Sequence, residues 1–87
     1  MEPVVYVDEL RIWARGRIET SHLTADSLSE LQAFARTLQI PDRAWHRGSK
    51  VPHYDLNATW RARVLAAGAV FVPAREQARA RMQRRRT

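Results

Sequence analysis

Apolar positions along the chain switch between two spacings, and the switches mark the elements. Val4 to Val7 is a short β-branched and aromatic run closed by Asp8, which predicts a buried strand opening the domain. Leu10 to Arg17 mixes Trp13 with Arg11, Arg15 and Arg17 around Gly16 and fits either a loop or a strand edge. A second strand is expected over Thr20–Thr24, with Leu23 facing the core and His22 on the opposite face beside Thr20 and Thr24. Ser27 and Glu30 then form a capping box, each side chain placed to satisfy a free amide of a first helical turn. Leu31, Phe34, Ala35 and Leu38 follow at helical spacing and lay one apolar stripe on that helix, which Pro41 ends.

Beyond it, Arg43 to Arg47 contains Ala44, Trp45 and His46 and suits a third strand, and Gly48 to Pro52 reads as a loop. Asp55 or Asn57 can cap a second helix in which Leu56, Trp60, Val64 and Ala67 form the buried stripe and Arg61 and Arg63 face water. Gly68 is its natural terminator. Ala69 to Val72 is continuously apolar, as a central strand is, and Pro73 opens a third helix. This order predicts an α/β domain of two or three layers, with a mainly parallel four-stranded sheet and three helices, covering residues 1–78 and followed by an arginine-rich tail at 79–87.

Composition narrows the function classes. A chain of 87 residues has room for one core, and without cysteine it has no disulfide framework, thiolate metal site or cysteine nucleophile. Any metal site must use His, Asp and Glu. The opening residues lack the basic and apolar regions of a signal peptide, and no apolar stretch approaches the roughly 20 residues of a membrane span. A soluble, cytoplasmic protein without membrane contact is therefore expected. The net charge of +6 is local: Arg79, Arg81, Arg84, Arg85 and Arg86 stand among no acids, and residues 1–78 carry ten basic and nine acidic groups. The basic end, which can continue the third helix as a basic face or remain disordered, suits a polyanion or a solubilising terminus, and the body is nearly neutral.

Several short motifs occur in a fixed order: Val4 Val5 Tyr6 Val7 Asp8, then His22 Leu23 Thr24 Ala25 Asp26, then His53 Tyr54 Asp55 Leu56, then Gly68 Ala69 Val70. In these the chain resembles a family of short domain-of-unknown-function proteins found mainly in actinobacteria and their phages. The resemblance covers roughly residues 4 to 73 and brings no activity with it. Where such proteins tend to place a glycine after the first helix, this chain has Gln39.

The candidate chemistry lies in Asp8, His22, Asp26, His53 and Asp55, each near the end of a predicted element. Asp8 follows the first strand, where a ligand holder or general base sits in an open α/β sheet. Its plainer role is to terminate the strand, as that of Asp26 is to favour a helix N-terminus. His53 and Asp55, two residues apart, can contribute to a divalent cation site or supply a general acid, or can serve as an exposed residue and a cap. Trp13 and Trp45 are flanked by Arg11, Arg15, Arg43 and Arg47, a mixture that stacks bases and holds phosphates, although tryptophans more often fill cores. The three glycines match no phosphate-binding loop, and there is no G-x-S-x-G elbow.

Three functions are compatible with this inventory. The first is a binding module for nucleic acid or a nucleotide, in which Arg43, Arg47, His53, Trp13, Trp45 and the tail make the contacts. The second is a small metal-dependent phosphoesterase or nuclease, for which Asp8, His22, Asp26, His53 and Asp55 must converge on a divalent cation. The third is a protein-interaction module, in which homo-oligomerisation would offset the small core.

Overall fold

A computed structural model describes residues 4–46 and 51–86. Strand β1 (Val5–Val7) is followed by β2 (Arg11–Trp13), which turns at residues 14–17 into the long β3 (Ile18–Ala25). Helix α1 (Leu28–Leu38) leads to the two-residue β4 (Trp45–His46), then β5 (His53–Leu56), helix α2 (Ala58–Ala66), β6 (Val70–Phe71) and helix α3 (Ala74–Arg86). The strand order is β4-β5-β3-β1-β6, with β2 on the outer half of β3.

The three helices and the α/β class agree with the periodicity, but the sheet is mixed, neither mainly parallel nor four-stranded: five strands lie in one order and β2 joins β3 beside them. Only β1 and β6 run parallel, and every other pairing is antiparallel. The physical cause is the turn at residues 14–17. It returns β3 directly alongside β1 as a hairpin, so no crossover separates the first two long strands. The apolar run Ala69–Val72 is an edge strand, with Val70 and Phe71 about half exposed, and not a central one. His53–Leu56, expected at a helix start, is a strand. Its alternation of half-buried and buried residues is the period of two that a four-residue segment scarcely reveals.

One face of the sheet carries the core. Val5, Val7, Leu23, Tyr54 and Leu56 meet Leu31, Phe34 and Ala35 of α1 and Val64 of α2. Trp45 and Trp60 pack at the margin of this cluster, and Trp45 lies 4.9 Å from Tyr54 between ring centroids. Residues of even number in β3 point the other way, toward α3, where Thr24 donates to Gln77 Oε1 at 2.8 Å. No helix among the described residues is long and apolar enough to cross a membrane.

The hairpin contains an irregularity that positions the site. In β1 and β3, Val7 stands opposite Leu23, and in β2 and β3, Arg11 stands opposite Thr20. Three residues, Asp8, Glu9 and Leu10, therefore face only two, Ser21 and His22. This is a β-bulge, a device that bends a strand and re-aims its side chains. The groups it releases are retaken: Asp8 O accepts from Arg61 Nε at 3.0 Å, and Glu9 Oε1 accepts from the first amide of α3, Ala74, at 3.0 Å. Arg61 is thus a structural contact, contrary to the water-facing position its helical phase suggests.

The helix ends follow local chemistry. Ser27 accepts from the Glu30 amide, the expected half of the box, while the Glu30 carboxylate accepts from the Ser27 hydroxyl and the Val4 amide in place of a first-turn amide. Of the two candidate caps for α2, Asn57 takes the part, accepting from the Trp60 amide at 2.9 Å. Gln39 ends α1 in the left-handed region at φ 58°, a conformation that costs a residue with a Cβ roughly 1–2 kcal/mol. Gln39→Gly is expected to stabilise the domain by about 1 kcal/mol, since glycine relieves the strain while adding freedom to the unfolded chain. The midpoint of urea unfolding should rise at an unchanged slope.

Candidate metal centre

The bulge places a carboxylate where a backbone acceptor would otherwise stand. Asp8 is buried, and its two oxygens hold one residue twice: Oδ1 accepts from the His22 amide at 2.6 Å and Oδ2 from His22 Nδ1 at 2.8 Å. His22 lies in the middle of β3 opposite Asp55 of β5, so the sheet register sets those two side chains next to each other on the same face. His53 precedes Asp55 by two residues and shares that face by the alternation of the strand.

The geometry that results is specific. His22 Nε2 lies 3.7 Å and His53 Nε2 3.2 Å from Asp55 Oδ1, and donor atoms of the three residues lie within 4.8 Å of one another. The two imidazoles meet edge to face, 4.8 Å between centroids and 85° between planes. His53 Nδ1 is 2.8 Å from Val51 O, an atom that only accepts, so Nδ1 carries the hydrogen there. Nε2 of a neutral His53 then offers a lone pair toward Asp55, and two acceptors at 3.2 Å need a proton or a cation between them. Both histidines are held through Nδ1 by an outer partner, Asp8 or Val51 O, and both present Nε2. That is the arrangement in which metal-ligating histidines are oriented.

The spacing fits a cation. Bonds of about 2.0–2.2 Å to nitrogen and oxygen set neighbouring ligands in a tetrahedron about 3.3–3.6 Å apart, and two of the three separations here are 3.2 and 3.7 Å. Two imidazoles and one carboxylate, leaving further positions open, suit zinc or another divalent transition metal. His22 and His53, but not Asp55, line a cavity of about 320 Å³ whose wall also includes Asp8, Thr24, Ala74, Gln77 and Arg81.

Of the candidates from sequence, Asp8, His22, His53 and Asp55 come together and Asp26 does not. Asp26 accepts from the Tyr6 hydroxyl at 3.1 Å and lines a separate cavity of about 220 Å³. Trp45 packs against the core, Arg43 is exposed in the short turn Asp42–Ala44 and is not in the wall of the cavity that the histidines line, and Arg47 lies outside the described residues together with residues 48–50. Trp13 is 53% exposed on the β2–β3 hairpin. Sequence reasoning missed Gln77 and Arg81, whose spacing of four puts them on one face of α3. Both belong to the one helix Ala74–Arg86, the form in which the arginine tail continues the third helix.

A family model for a protein of unknown function, DUF4031, matches residues 5–85. The chain belongs to that family. In this DUF4031 domain the match extends beyond the motif-bearing stretch and takes in Arg81, on the cavity wall, with most of the basic end. No curated protein and no solved structure matches the chain.

The Asp8–His22 pair has a defined charge response. Burial pushes the Asp8 carboxyl up, but hydrogen bonds from the His22 ring and amide outweigh it, with help from the charges of His22 and Arg11, and hold it below its ordinary 3.8. The bond to Asp8 raises His22 above its ordinary 6.5 against the effect of burial, and the charges of Asp8 and Asp55 add to the rise. The Asp8 contribution to stability is therefore complete above 3.8 and lost as pH falls through the lowered value. The His22 contribution is complete below 6.5 and lost as pH rises through the raised one. In chelator, Asp8→Asn is expected to lower Tm most between pH 3.8 and 6.5 and least on either side. A drop that stayed the same well below pH 3.8 and well above 6.5 would show that the pair is not ionic.

Proposed function

We propose that this domain is a small metal-dependent phosphoesterase that holds one divalent transition cation with His22 Nε2, His53 Nε2 and Asp55. The observation that carries the reading is the convergence of those three groups, with both imidazoles locked from behind so that their Nε2 atoms face one point. A cation bound there would polarise a phosphoryl oxygen and lower the pKa of a bound water toward neutrality. Asp8 acts through His22 as a positioning residue, fixing its tautomer and strengthening its basicity. Arg81, on the wall of the same cavity, supplies positive charge for a phosphate, and α3 screens one side from water.

A purely binding role toward a nucleotide or nucleic acid would use the same cavity and the same arginine. It differs from the catalytic reading only in the absence of turnover. The setting we attach to either reading is cytoplasmic, in actinobacteria or their phages, as the motif resemblance suggests.

Calorimetric titration of chelator-treated protein with Zn²⁺, Mn²⁺ and Ni²⁺ should show one saturable site for at least one of them. His22→Ala, His53→Ala and Asp55→Ala should abolish it, and Asp8→Ala should weaken it about 10–100-fold. Hydrolysis of bis(4-nitrophenyl) phosphate should depend on that metal and fall with each variant. Saturable binding without hydrolysis would leave the binding role standing. Absence of any metal binding that His22 and His53 control would overturn the assignment.

A further inference from the structure

The β2–β3 hairpin is not used by the core. Every side chain from Arg11 to Glu19 is exposed, and Ile12, Trp13 and Ile18 are each more than half exposed. Ala14 and Arg15 at its tip are both left-handed, at φ 51° and 58°, a strain of roughly 1–2 kcal/mol per residue. Strain of this kind persists where the surrounding structure enforces it and gathers at functional segments.

The bulge decides which way the hairpin faces. With a regular ladder through residues 8–10, Leu10 and Ile12 would stand opposite Thr20 and Ile18, on the face that carries His22. The extra residue shifts the register by one, so Arg11 pairs with Thr20 and Trp13 with Ile18. Arg11 and Trp13 therefore lie on the face of the histidines, in line with them along β3. Two further observations agree: Trp13 Nε1 donates to Thr20 Oγ1 at 3.0 Å, and the charge of Arg11 acts on both Asp8 and His22. The one acid of the hairpin, Glu19, is engaged with the α2 amide of Ala58 at 3.3 Å, while Arg11, Arg15 and Arg17 make no salt bridge with a described residue.

We propose that this arm holds a single-stranded polynucleotide leading into the His22–His53–Asp55 site, with Trp13 stacking on a base and Arg11 contacting the adjoining phosphate. The inference rests on the phosphoesterase reading for what happens at the end of the strand, and names its substrate class. From the Trp13–Ile18 pair to His22 is four residues of β3, about 13 Å at 3.3 Å each. That span corresponds to roughly four nucleotides at the 3.4 Å rise of a stacked strand. An indole beside arginines, backed by a hydroxyl that fixes its ring, is the sequence-tolerant combination that single strands require. The arm's net positive charge disfavours a basic or neutral protein partner and suits a phosphate backbone.

The test uses fluorescence anisotropy of labelled dT12 and U12, with a 12-base-pair duplex as a third arm, all in EDTA so that binding is read apart from metal and turnover. We expect both single strands, or one of them, to bind more tightly than the duplex. Trp13→Ala should weaken that binding about 5–100-fold, the effect of losing one stacked base, and Trp13→Phe should restore most of it. Arg11→Ala should lower the slope of log affinity against log salt by about 0.7. Trp13 and Arg11 are exposed, so circular dichroism should show both variants folded. The proposal is overturned if wild-type protein binds neither strand, if the duplex binds as tightly through Trp13, or if both variants bind as wild type. It is likewise overturned if Trp13→Ala changes only the sedimenting mass, which would make the arm a contact between copies. Because binding is read without metal, failure here leaves the phosphoesterase reading to its own hydrolysis test.

Discussion

The carboxylate of Asp8 is the point on which the arrangement depends. A β-ladder interrupted by one extra residue leaves a strand amide without its partner, and a buried amide without an acceptor costs about 1–3 kcal/mol. Asp8 removes that cost by accepting from the His22 amide, and with its other oxygen takes the His22 ring. One side chain thus repairs the backbone and sets an imidazole. The neighbouring bulge groups hold the helices in turn, Asp8 O through Arg61 of α2 and Glu9 through the first amide of α3. Sheet, α2, α3 and histidine are consequently positioned by the same two residues, Asp8 and Glu9.

Much of the fold was legible because the signals were local. The Ser27 cap and the Leu31, Phe34, Ala35 stripe belong to one helix, and both are found where they are expected. The sheet was less legible, because pairing is a relation between distant segments. Nothing in Val70 or Phe71 distinguishes an edge from a centre, and His53–Leu56 is too short for its alternation to compete with the cap that follows. The candidate site shows the same division. Asp8, His22, His53 and Asp55 stood out as polar residues near element ends, yet their meeting required the β3–β5 register and the bulge. Asp26, with the same sequence credentials, was carried past the end of β3 and bonds Tyr6 instead.

The basic end of the chain takes a different meaning when its helix is seen. Counting charge by position separates a neutral body from a cationic tail, but α3 begins at Ala74 on the bulge and continues through Arg86. Gln77 and Arg81 of that helix lie on the cavity, joined by a hydrogen bond of 3.2 Å. Part of the positive charge is thereby brought to the cavity that the histidines line.

The outer edge of β6 has a consequence for how the protein coexists with copies of itself. An exposed edge invites another sheet to continue it, and an apolar edge invites aggregation. Here the strand is two residues long, Val70 and Phe71; the Val72 amide is spent on Val7 O, and Pro73 after it has no amide to offer. A foreign strand would find apolar side chains but almost no ladder to join. The chain can expose those two residues because it denies a partner the backbone that would make their burial cooperative.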